Sequence, residues 1–304
     1  IGNEPDAEIY PGSGYLPFGC WGDSNDPYYG GGYYSQMLEQ VYPHIKSADP
    51  NAQVLLGGLL LDCDPINPPP VSPGSSQSKD CRASKFLEGI LKSGGQNYFD
   101  GISFHSYDYY YGYIGQFGND NWRSSWNTGG PAIGAKISYI RSLLQAYQVT
   151  GKYIMATEVA LLCWDNCDNN YETTKAYQLV ESYTTGIVSG LKATVWYDLY
   201  GGWRNSGLLY DNGQPRPAYQ AYQFMSKELG GATYSREVSS GGVRGYEFQN
   251  GSRLIWVLWS MDGKSKDFSL PSAPSKAYDV FGKQLAAAQA ITVDGSPIYV
   301  ELAR

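Results

Sequence analysis

Two glutamates stand where a carboxylate is costly unless it is put to use. Glu158 closes the otherwise apolar run Tyr153-Ile154-Met155-Ala156-Thr157, and a charge at the end of a buried strand must be paired or employed. Glu4 lies in Gly2-Asn3-Glu4-Pro5-Asp6, a motif that says little alone. Two carboxyls flanking one bond can divide a reaction between them: a protonated one gives its proton to a leaving oxygen, and an ionised one attacks the carbon behind it. His105 and Tyr107 end another strand-like segment and are placed to donate to Glu158. Trp196 ends a third and offers a broad, flat aromatic face. Plainer readings stand beside each of these: a loop-capping Glu158, a structural His105, a core Trp196.

The elements that must position these groups alternate for about two-thirds of the chain. Helical spacing is read over Tyr33–Ser47, Ala83–Lys92, Ile133–Tyr147, Glu172–Ser189 and Pro217–Leu229, and continuous apolar runs over Gln53–Leu61, Phe99–Tyr107, Lys152–Ala160 and Ala193–Leu199. Such alternation demands a parallel sheet with helices packed outside it. No Gly-x-Gly-x-x-Gly follows a strand and no P-loop is present, so a nucleotide fold has no motif behind it. The polar residues and the longest loops gather at the C-terminal ends of the strands, as in a barrel enzyme. From about Thr233 the period changes to two, with a hairpin turn at Asn250-Gly251. The expected division is a (β/α) unit over 1–230 and a small antiparallel β-domain over 231–304.

Composition narrows the classes of partner. Of 304 residues, 42% are hydrophobic and only 17% charged, with a net charge of −7. The charged fraction falls below the ~25% of an average soluble protein. An acidic chain without a Lys/Arg cluster argues against nucleic acid and anionic membrane surfaces. No apolar run reaches the ~20 residues of a membrane span. Five cysteines lie in loop-like segments, which points to an oxidising, extracellular setting, with reduced cytosolic thiols as the alternative. Proximity favours Cys63–Cys81 and Cys163–Cys167, leaving Cys20 over, and other pairings stay open. No zinc spacing occurs. Asp165, Asp168, Asn169 and Asn170 lack the EF-hand pattern, so no metal and no cofactor are expected. Asn250-Gly251-Ser252 matches a glycosylation acceptor but is better read as the hairpin turn.

Asn3-Glu4-Pro5 after one strand, and Glu158 ending another three strands further on, resemble the retaining glycoside hydrolases of clan A. The C-terminal β-domain is similar to that of family 39 and family 30-like members. The resemblance implies an incomplete (β/α)8 TIM barrel, about strands four to eight, with a C-terminal β-sandwich. It implies Glu4 as acid/base, Glu158 as nucleophile, Asn3 on the sugar 2-hydroxyl, and Trp196 as the platform under the reactive sugar. His105, Tyr107 and Trp203 complete the expected substrate-binding set, with Tyr109, Tyr110, Tyr111, Tyr113, Trp122, Trp126 and Trp164 as further candidates for sugar subsites. The expected protein is a secreted hydrolase of a β-linked glucan, xylan or mannan. The alternative is a carbohydrate-binding or inactive remnant. Strands one to three have no counterpart in the sequence, so a homodimer covering the open barrel edge is expected.

Overall fold

The glycine pair inside the first apolar run decides how the chain meets the sheet. In the computed structural model, which describes residues 1–7, 21–72, 74–110, 115–164 and 167–303, strand β1 (Leu55–Leu59) carries Gly57 and Gly58. A Cβ on Gly57 would lie 2.6 Å from the carbonyl oxygens of Ile1 and Gly2. Their absence lets the segment before Glu4 run alongside, with Asn3 bridged in parallel to Gly58.

Strand β2 (Gly101–Tyr109) pairs with β1 on one side and with β5 (Tyr153–Leu162) on the other, both parallel. Two short strands, β3 (Phe117–Gly118) and β4 (Arg123–Ser124), form an antiparallel excursion joined to the end of β2. Strand β6 (Thr194–Trp196) pairs in parallel with β5. Spatial order along the parallel part therefore follows chain order. Helices α1 (Gly31–Ala48), α2 (Phe86–Lys92), α3 (Ala132–Ala146), α4 (Tyr171–Val188) and α5 (Pro217–Leu229) alternate with the strands. Strand β2 is buried along eight of its nine residues, as befits a strand covered on both faces. Helix α5 opens on Pro217 after an extended Arg216, where the missing N–H costs nothing.

The second sheet is antiparallel, in the order β11 (Lys276–Tyr278), β13 (Ile298–Leu302), β9 (Arg253–Ser260), β8 (Val243–Asn250) and β7 (Thr233–Glu237). The pair β10 (Lys266–Ser269) and β12 (Ala290–Val293) forms a separate two-stranded sheet that packs on it through Phe268 and Val293. The hairpin turns where expected, with Asn250 opposite Arg253. Period two hid β7 and β12, because their outward residues are polar and short runs carry little pattern. Phe224 of α5 packs edge-on against Tyr299 and Tyr278, at 5.2 and 5.5 Å between ring centroids. The two sheets thus share one hydrophobic core.

Both expected disulfides are present, Cys63–Cys81 and Cys163–Cys167, with Cα separations of 5.4 and 5.9 Å. Cys20 lies outside the described residues. Among the described residues no helix is long and apolar enough to cross a membrane.

Candidate active site

Parallel pairing places His105 of β2 directly beside Glu158 of β5. In an unshifted register His105 would face Thr157, but the shift between Phe104 and His105 sets it opposite Glu158 instead. Glu4 reaches the same spot from the other side. Its N–H donates to the Gly58 carbonyl at 3.0 Å, and its own backbone is left-handed, with φ of 45°. A non-glycine residue held there is strained and needs surrounding structure to fix it.

Asp6 supplies that structure. Its buried carboxylate accepts the N–H groups of Leu60 at 2.8 Å and Leu61 at 2.9 Å, pinning the segment after Glu4 to the end of β1. Burial pushes the Asp6 carboxyl up to about 6 despite these hydrogen bonds. From outside the sheet, the buried Lys136 of α3 donates to the carbonyls of Leu60 and His105, both at 2.8 Å. Burial brings its ammonium down to about 8. Asp108 accepts from the Ala132 N–H at the start of α3 and from Gln178 of α4 at 2.8 Å, tying two helices to the end of β2.

The three site groups converge on one nitrogen. His105 Nδ1 lies 2.8 Å from Glu4 Oε1 and 3.3 Å from Glu158 Oε2. With two carboxylates facing it, Nδ1 is the ring nitrogen that carries the proton; it hydrogen-bonds Glu4 and lies within ion-pair reach of Glu158. That nitrogen and one oxygen from each glutamate all lie within 4.8 Å of one another. The other ring nitrogen, Nε2, faces Gly58, where a Cβ would come within 2.1 Å of it. The Tyr107 hydroxyl donates to Glu158 Oε2. Burial and the adjoining carboxylate push the Tyr107 phenol far above its ordinary value, so it stays a donor.

An aromatic wall adjoins this cluster. Tyr107, Tyr197 and Trp203 contact one another edge-on at 5.1–5.9 Å, and Trp203 is 42% exposed. The Arg204 guanidinium lies 3.3 Å over the Trp164 ring and 4.5 Å over that of Trp203. Cys163 and Lys175 of α4 hold the backbone that follows Trp203 in place. The Cys163 N–H donates to the Arg204 carbonyl at 2.9 Å, and Lys175 donates to the carbonyls of Asn205 and Gly207.

Asn3, Glu4, His105, Tyr107, Glu158, Trp196 and Trp203 all lie in the described structure, at one end of the parallel strands. Asn3 is exposed beside Glu4. Trp196 is 8% exposed, its indole N–H donating to the Ser206 carbonyl at 2.9 Å. Of the loop aromatics, Trp126 is buried in the main core against Tyr139 of α3, Trp122 and Tyr110 are buried in a cluster with Leu161, Cys163 and Tyr171, Tyr109 is half-buried, and Trp164 is exposed. Tyr111, Tyr113 and Asp165 lie outside the described residues. Asp168 spends its carboxylate on the Tyr110 hydroxyl and the Asn170 N–H. Sequence reasoning missed Asp6, Lys136, Tyr197 and Arg204. For Gly57-Gly58 a signal existed, because glycines inside a strand mark a close approach.

The chain has the fold of known glycoside hydrolases. It aligns over 93% of its length with a family 39 glycoside hydrolase from the gut symbiont Bacteroides cellulosilyticus WH2, at a TM-score of 0.65 and 20% identity. A glucosidase from Croceicoccus marinus aligns over 100% of the chain at a TM-score of 0.57 and 13% identity. A family 30 subfamily 8 xylanase from Clostridium acetobutylicum aligns over 99% at 0.52 and 13%. The chain spans 57%, 68% and 65% of those three proteins, respectively. At such identities the likeness is one of fold. No family model matches the sequence, and no curated protein matches it.

Proposed function

We propose that the protein is a retaining glycoside hydrolase acting on a β-linked plant-type polysaccharide or oligosaccharide. The observation that carries this reading is the Glu4–Glu158 pair, whose nearest oxygens lie no more than 4.8 Å apart. Retaining enzymes hold their carboxyls ~5–5.5 Å apart, whereas inverting ones leave ~6.5–9.5 Å for a water molecule. Glu158, oriented by the Tyr107 hydroxyl and facing His105 Nδ1, serves as nucleophile. Glu4 serves as acid/base, protonating the leaving oxygen and then deprotonating the water that releases the sugar. Asn3 contacts the sugar 2-hydroxyl, Trp196 forms the floor, and Trp203 offers the open aromatic face.

In the same reading the parallel strands are an arc of a (β/α)8 barrel, about strands four to eight. Residues 1–230 form its catalytic unit, and 231–304 a β-sandwich. The two disulfides are consistent with an extracellular, secreted protein. Strand β6 has no further strand neighbour among the described residues, and open sheet edges need cover. A second copy of the chain supplies it, so light scattering at micromolar concentration should report a dimer, and a monodisperse monomer overturns that part.

The activity is tested with aryl β-glycosides and plant polysaccharides. Glu158→Gln and Glu4→Gln should each lower turnover by ~10²–10⁴-fold, and azide should rescue Glu158→Ala. A wild-type protein that binds these sugars yet cleaves none of them would identify a binding remnant instead.

A further inference from the structure

The convergence of Glu4 and Glu158 on a single imidazole nitrogen has a use that does not depend on sugar chemistry. We propose that Glu4, His105 and Glu158 bind a divalent transition-metal ion such as Zn²⁺, and that the occupied site is inactive as a glycosidase. One nitrogen and two carboxylate oxygens within 4.8 Å of one another match the reach of a small cation with ligand bonds of ~2.0–2.2 Å. The 2.8 Å approach of Nδ1 to Glu4 Oε1 needs to open by only a few tenths of an ångström for both atoms to contact one ion. Imidazole with carboxylates is a borderline donor set. It suits Zn²⁺ and its neighbours, whereas Ca²⁺ and Mg²⁺ want six or more oxygens.

The ligands are already in place. His105 and Glu158 sit at paired positions on adjacent strands. The His105 ring is buried and fits only because Gly58 lacks a side chain. Its carbonyl is held by Lys136, and Glu158 is held by the Tyr107 hydroxyl, the kind of outer support that metal ligands need. The side chains of Glu4 and Glu158 remain 15% and 24% exposed, leaving solvent a path to the ion. Three protein ligands leave a fourth position for water.

The proton balance is simple. The ion takes the Nδ1 lone pair, so the ring proton must reside on Nε2. A ring that starts neutral releases no proton and one that starts charged releases one to solvent, and a Glu4 that starts as the protonated acid releases its own as it coordinates. Both carboxylates then coordinate the ion, so neither can attack or protonate a sugar. This separates the proposal from the glycosidase reading, which requires them free.

Isothermal titration of EDTA-stripped protein with ZnCl₂ tests the site directly. One saturable site is expected, weakened at least tenfold by His105→Asn and by Glu158→Gln, and unchanged by His44→Asn, which removes the only other histidine. Co²⁺ in place of Zn²⁺ should give visible absorption bands that Glu158→Gln abolishes. If His105→Asn fails to fold, the near-isosteric Glu158→Gln decides alone. Absence of saturable binding up to about 1 mM, or equal binding by wild type and Glu158→Gln, overturns the proposal. Hydrolysis in EDTA without Zn²⁺ binding overturns this inference and leaves the glycosidase reading standing. Zn²⁺ binding without hydrolysis in EDTA does the reverse.

Discussion

At the scale of single residues, one missing Cβ decides the geometry of the site. His105 stands where its Nε2 would be 2.1 Å from a Cβ on Gly58, so any side chain at that position displaces the imidazole. Its other nitrogen is what both glutamates share. In the proposed glycosidase, Gly58→Ala should therefore lower hydrolysis by ~10²-fold or more, since small misplacements of catalytic groups are costly. Circular dichroism should show the fold retained. Unchanged kinetics in Gly58→Ala would mean that His105 takes no part in positioning the pair. Left-handed non-glycine residues gather nearby, at Glu4, Leu61, Asp198, Arg204 and Asn205. All five lie at the ends of parallel strands or in the loops that follow them, where strain accompanies function more often than it does elsewhere.

At the scale of elements, the segment carrying Glu4 is not a full strand and borrows its rigidity. A single bridge at Asn3 joins it to β1, and Asp6 does the rest through Leu60 and Leu61. Asp6→Ala leaves two backbone N–H groups without their acceptor and should cost ~1–3 kcal/mol. Urea denaturation measures that cost. Because Glu4 lies two residues away, the same variant should also lose activity under conditions where it remains folded. Strands β2 and β5 were legible as apolar runs with polar ends, since burial on both faces leaves little room for anything else. The boundaries of β6 were not. Ala193–Leu199 reads as one run, yet only Thr194–Trp196 pairs, because Asp198 turns left-handed at φ 77° and takes the chain into the loop.

At the scale of the molecule, buried carboxyls set how stability follows pH. Burial pushes Asp6 and Asp108 up to about 6, and pushes Glu181 of α4 well above its ordinary value. A raised carboxyl binds its proton more tightly when folded, so it adds stability below the ordinary value near 4 and loses it as pH rises through 6. The thermal midpoint should therefore be higher at pH 5 than at pH 7.5, and Asp108→Asn should flatten that slope. A midpoint that rises with pH across this window would count against the burial of these groups. The sequence by itself determined the alternation of strands and helices and the change to period two, and it favoured the two disulfide pairings and the glutamate pair without fixing them. The first three of these follow from local periodicity or proximity along the chain. Only the tertiary structure decided that Glu4, His105 and Glu158 meet, because residues 4 and 158 are joined through a bridge to β1, a register shift in β2 and the bare α-carbon of Gly58. It also sorted the aromatics. Trp122 and Trp126 share their residue type with Trp164 and Trp203, and only packing tells which rings are buried against neighbouring elements and which are left facing solvent.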